Sequence, residues 1–163
     1  MTGSGAMSSE EAQDLARELA ALSLEQAAPE ELVLFPEVSE EYFRDPDGVL
    51  NAQARDEAVG FGLDIAMLTP YLLAVATPVV QFLASIVRDT AEEEVKTSMA
   101  GAIRRLLRRD TTAPAAPANQ PALSTEEARQ VRRTAYDQAR GLGLDDERAS
   151  VLADSIVGRL LVA

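Results

Sequence analysis

The chain has 163 residues, 27 acids against 15 bases, a net charge of −12, and neither histidine nor cysteine. The two absences exclude disulfides, thiol nucleophiles, thiolate zinc sites and every imidazole-based acid–base or metal constellation. The charge excludes another class: residues 1–57 carry fourteen acids against three arginines, a surface that repels nucleic-acid phosphates.

Residues 1–7 read as a disordered start, with no basic stretch leading into an apolar one and so no secretory signal. Ser8 or Ser9 caps a helix to about Leu22, with Glu10, Glu11 and Asp14 at its positive end. Leu15, Leu19 and Leu22 give it a narrow apolar face, enough to dock and too little to stand alone. From Leu24 to Asp47 the texture changes, with acids interleaved among apolar residues and Pro29, Pro36 and Pro46 as punctuation. One reading is a partner-docking motif that orders on binding through Leu32, Leu34, Phe35, Tyr42 and Phe43. The other is an extended arm packed on its own domain, and the need of the run Leu32-Val33-Leu34-Phe35 for burial favours it. Asp45-Pro46-Asp47-Gly48 then reads as a turn into a helix from Val49 to Phe61, loosened by Gly60 and Gly62. Residues 8–61 together make an acidic N-terminal helical arm.

The most apolar stretch follows, from Leu63 to Val87, with no formal charge between Ile65 and Val87. That is long enough for a membrane span, since about 20 helical residues cross the hydrocarbon core. Ile65, Leu68, Leu72, Val75, Val79, Phe82, Leu83 and Ile86 share one helical face, suited either to lipid or to an oligomer interface. Asp64 lies at the edge of the run, where a structural role is the plainer one. Pro70 and Pro78 each follow a threonine. The stretch is therefore one kinked rod, or two or three helices joined at Thr69 and Thr77.

Thr90 with Glu93, or Asp89 alone, then caps an amphipathic helix whose apolar face is Val95, Met99, Ile103, Leu106 and Leu107. Arg104, Arg105, Arg108 and Arg109 flank that face. They suit anionic lipid headgroups or an acidic partner, or else a solvated surface paired with Glu92, Glu93 and Glu94. If the stretch spans once, Arg88, Lys96 and these arginines place the C-terminal side in the cytoplasm. Residues 62–110 form this apolar and arginine-rich unit. Residues 111–122 are a Pro/Ala linker.

Residues 123–163 read as a helical hairpin. Ser124 and Glu127 form a capping box, Val131 and Ala135 point inward, and Gly141 or Gly143 ends the first helix near Arg140. Asp145 or Asp146 caps the second helix, whose wide apolar face includes Val151, Leu152, Ile156, Val157, Leu160 and Leu161. Two such helices cannot bury that face alone, so Val151, Leu152, Ile156 and Leu160 are expected to contact another surface.

The expected fold is all-α, a helical assembly around one long apolar central helix, plus the C-terminal hairpin. No phosphate-binding loop, nucleophile elbow or calcium-loop series occurs, and consecutive glutamates on a helix do not converge on one ion. The expectation is a protein without enzymatic activity, cofactor, metal or nucleic-acid partner. It is a membrane-associated accessory or effector subunit, or alternatively a homo-oligomeric scaffold or adaptor that buries the central helix between chains. Lys96 is the only lysine and alanine is abundant, as in a GC-rich bacterial coding sequence. The location is then the bacterial cell membrane, or the cytoplasm under the alternative.

Overall fold

A reciprocal pair of hydrogen bonds starts the first helix. The Ser8 hydroxyl accepts from the Glu11 amide at 3.1 Å, and the Glu11 carboxylate accepts from the Ser8 amide at 2.9 Å. The computed structural model describes residues 7–58, 68–90, 99–107 and 123–161, and among these it is all-helical, with no strand. Helix α1, Ser9–Ala27, runs past Leu22 because nothing stops it before Pro29. Ser23 is buried and turns its hydroxyl onto the Leu19 carbonyl, and Leu24 adds a further core residue.

The arm from Leu24 to Asp47 is helical, not extended. A short 3-10 turn, Pro29–Val33, leads into α2, Phe35–Arg44, and then α3, Pro46–Ala58. Each of the three prolines sits in the first turn of its element, where a missing N–H has no helical partner to lose. They start helices here. The segment from Asp45 to Gly48 is accordingly the N-terminus of α3. The Asp45 carboxylate accepts from the Gly48 amide at 3.1 Å, and its backbone carbonyl accepts from Val49 at 3.1 Å. The predicted helix end near Phe61, Gly60, Gly62, Asp64 and Ile65 all lie outside the described residues.

Helix α4, Thr69–Thr90, is a single element of 22 residues with Pro78 inside it. The expected join at Thr77 is absent, since its hydroxyl donates to the Leu73 carbonyl at 3.2 Å within the same helix. Thr90 is the last residue of α4, and the predicted cap with Glu93 lies outside the described residues. Helix α5 is Met99–Leu107, with Ala100, Ala102, Ile103, Leu106 and Leu107 buried.

The hairpin forms as its caps predict. Helix α6, Thr125–Gly141, opens with the Ser124–Glu127 capping box, at 3.1 and 2.7 Å. It closes with a double bond pattern: the Leu144 amide donates to Ala139 at 3.2 Å and the Gly143 amide to Arg140 at 3.0 Å. Gly143 has φ +95°, which an L side chain would resist. Asp145 then caps α7, Asp146–Leu161, by accepting from the Arg148 amide at 2.8 Å.

Helix α4 lies at the centre, packed against α1, α2, α3, α5 and α6. Helix α7 packs on α6 and α1. One continuous core therefore joins the N-terminal helices to the C-terminal hairpin. Ala16 and Ala20 in α1, Ala76 in α4, Ala135 and Ala139 in α6, and Ala149 and Ala153 in α7 are all buried. Small residues at these contacts let the helix axes approach closely. The fully buried leucines, Leu15, Leu19, Leu72, Leu73, Leu83 and Leu152 among them, supply about 1.5–3 kcal/mol each on leaving water.

Candidate functional site

The face of α4 singled out by periodicity turns inward, onto the same chain. Leu72, Val75, Val79 and Leu83 are buried, while Leu68, Phe82 and Ile86 are half-buried against the core. Leu73, Ala76 and Val80, adjacent on the helix, are buried as well. What remains open is a narrow stripe at heptad-like spacing: Ala74, Thr77, Pro78, Gln81, Ser85 and Arg88 are half-buried or exposed. The segment Thr69–Asp89 is long and apolar enough to cross a membrane, and 61% of its most apolar window is buried inside the chain.

Ala74, Thr77, Pro78, Gln81 and Arg88 of that stripe, with the buried Ala84 beside them, floor a cleft of about 740 Å³. Its walls come from the start of α1, from Tyr42, Phe43 and Pro46, and from Met99 at the start of α5. Among the described residues, Arg88 is the only charged one in its lining. Pro78 has no N–H, so the Ala74 carbonyl one turn earlier has no helical donor on this side. The Tyr42 phenol is held above its ordinary range, chiefly by burial and then by the Asp47 carboxylate. Tyr42 packs edge-on against Phe43, with ring centroids 5.2 Å apart, and the Arg17 guanidinium lies 4.6 Å above the Phe43 ring.

A second feature sits at the amino end of α4. The Glu31 carboxylate, from the 3-10 turn, accepts from the Leu68 amide at 2.9 Å through one oxygen. Through the other it accepts from the Thr69 amide at 2.9 Å and the Thr69 hydroxyl at 2.6 Å. A helix's first amides lack internal partners, and here a side chain 37 residues away supplies them. Thr69 is fully buried, and its hydroxyl donates to Glu31 instead of capping its own helix. Glu31 carries no local signature, because capping patterns read only the neighbouring residues.

The predicted docking residues separate. Tyr42 belongs to the core, and Leu32, Phe35 and Phe43 are half-buried against it. Leu34 is 48% exposed, and its neighbour Val33 is 84% exposed. The run Leu32-Val33-Leu34-Phe35, expected to be buried, is therefore only half covered: the 3-10 turn leaves Val33 and Leu34 outward.

Arg104 reaches Glu18 of α1 at 3.5 Å, an ion pair within the chain. Nothing is described of the Arg105 side chain, and Arg108 and Arg109 lie outside the described residues. In the hairpin, Leu152, Ile156 and Leu160 are buried, covered by α1 and α6, and Val151 is exposed. The Tyr136 hydroxyl donates to Asp146 at 2.8 Å, and that bond, ahead of burial and charge, raises its pKa. Among the described residues, no group of three or more acids is placed to hold a metal ion. Comparisons with protein-family models, with curated proteins and with solved structures find no match to this chain.

Proposed function

We propose that the protein is a non-enzymatic helical accessory or adaptor module, which acts by docking to a protein partner and uses α4 as the core of its own fold. The supporting observation is the direction of α4's amphipathicity. Its wide apolar face meets α1, α5 and α6, while Gln81 and Arg88 on the narrow polar stripe meet solvent. That is the inside-out order of a water-exposed bundle. A lipid-embedded helix places apolar residues outward and turns polar ones to a protein interior.

A second reading keeps α4 as a membrane anchor, and one observation favours it: Thr69–Asp89 has the length and composition of a span. Insertion would require α1, α5 and α6 to leave the helix. Fractionation with an alkaline carbonate wash separates the two readings, applied to the untagged wild-type chain and to Gln81→Arg. The module reading expects both chains in the supernatant, because Gln81 is already exposed. The anchor reading expects wild type in the pellet and loss of insertion on substitution, since a central arginine costs about 2.5–3.5 kcal/mol in a span. A detergent-dependent wild-type pellet sinks the module reading.

A further inference from the structure

We infer that the corner between the 3-10 turn and α2 is a docking surface for a basic helical segment of a partner protein, one with a single apolar face. The inference rests on the module reading above and narrows it to one surface and one partner chemistry. Val33 and Leu34 adjoin at this corner, 84% and 48% exposed. Scattered exposed apolar residues are ordinary on a protein surface. These two are adjacent and are bordered by charge of one sign. Glu30 belongs to the same turn, and Glu37 and Glu41 follow Leu34 at three and seven places, on its face of α2.

All three of these glutamates are exposed, and none makes an ion pair among the described residues. Glu40, by contrast, is engaged with Arg44 at 3.4 Å. The surface thus offers two apolar side chains inside an unneutralised acidic rim, on a chain half whose charge is already strongly negative. A segment carrying lysines or arginines beside a leucine-type face complements both features.

The corner is also fixed in advance. Leu34 ends the 3-10 turn by donating to the Glu31 carbonyl at 3.0 Å, and its own carbonyl accepts from Val38 at 3.0 Å to begin α2. The inward Glu31 carboxylate ties the turn to the start of α4 by three hydrogen bonds. Leu32 and Phe35 pack on the core on either side. With Glu31 turned in, Val33 and Leu34 are held out, and a partner meets them without having to order the backbone first.

Two synthetic peptides of equal length and charge decide the matter. One is a lysine–leucine amphipathic helix; the other has the same residues reordered so that no apolar face forms. The first peptide is expected to shift the amide resonances of residues 30–41 and to bind at least about tenfold more tightly than the second. Val33→Asp with Leu34→Asp is expected to remove that preference. Val33→Ser with Leu34→Ser, which leaves the charge unchanged, is expected to do the same. Both positions are exposed, so circular dichroism should report an unaltered helix content in each variant. Equal affinity of the two peptides, or shifts spread over all the acidic helices, means charge attraction alone and overturns the inference. Undiminished preference in the variants, or no binding, also overturns it. The carbonate fractionation is read separately, so the corner can fail while the module reading stands.

Discussion

A carboxylate that accepts three hydrogen bonds at 2.6–2.9 Å has little capacity left for water, and Glu31 is in that position at the start of α4. Glu31→Ala leaves the Leu68 and Thr69 amides and a buried hydroxyl without their acceptor. The expected loss is about 1–3 kcal/mol, the cost of unsatisfied buried polar groups. A urea titration checks it, together with faster amide exchange at Leu68 and Thr69 than in wild type. An unchanged midpoint would show that the hydrogen bonds are replaced by water at no cost. Glu31→Gln keeps one acceptor and should fall between the two. In the sequence Glu31 is one glutamate of an acidic run. Ser8, Ser124 and Asp145 could be read as caps because their partners lie three residues away, whereas Glu31 meets its partner across 37.

At the scale of elements, local chemistry made most helices legible. The cap at Ser8, the capping box at Ser124 and the positive-φ Gly143 are written in nearby residues, and the structure uses all three. The 24–47 segment was harder because proline is ambiguous: it ends a helix or opens one, according to which side the helix lies. Pro29, Pro36 and Pro46 all open. Pro78 is the exception, since it sits within α4 and withholds a donor from Ala74. Thr77 does not relieve this, because its hydroxyl is directed to Leu73. Pro78→Ala restores the donor and removes the ring from the preceding turn. The thermal midpoint should rise, with a gain of up to about 3 kcal/mol in stability. A fall instead would mean that the proline's packing in the cleft wall outweighs the lost bond.

For the whole molecule, periodicity located the central helix but not what covers it. The same leucines and valines serve lipid, a second chain or the first chain equally well. The choice depends on where α1, α5 and α6 fold back, and those contacts are remote in sequence. The C-terminal face that two helices alone could not bury is covered in the same way, largely by α1. Stability against pH is likewise a property of the assembled fold. Tyr42, beside the cleft, and Tyr136, in the hairpin, both have pKa values raised above the ordinary value. The native state therefore favours the protonated phenols. Their stabilising contribution is complete below the unfolded value, about 10, and is lost as pH rises through the native ones. An ultraviolet titration of tyrosinate should place both above that of the unfolded chain. Asp146→Ala should bring Tyr136 down and leave Tyr42 in place; an unmoved Tyr136 would remove the hydrogen bond as the cause.

The order of the helices has a consequence for synthesis on the ribosome. Helix α1 precedes α4, but α6, which closes another side of it, is made only after the intervening segment. From the end of α4 to the end of α6 is about fifty residues, roughly 3–10 seconds at 5–20 residues per second. During that interval the nascent chain carries an apolar helix with part of its cover missing. Until α6 arrives that side of α4 is open, and the folding of the hairpin is the step that closes it.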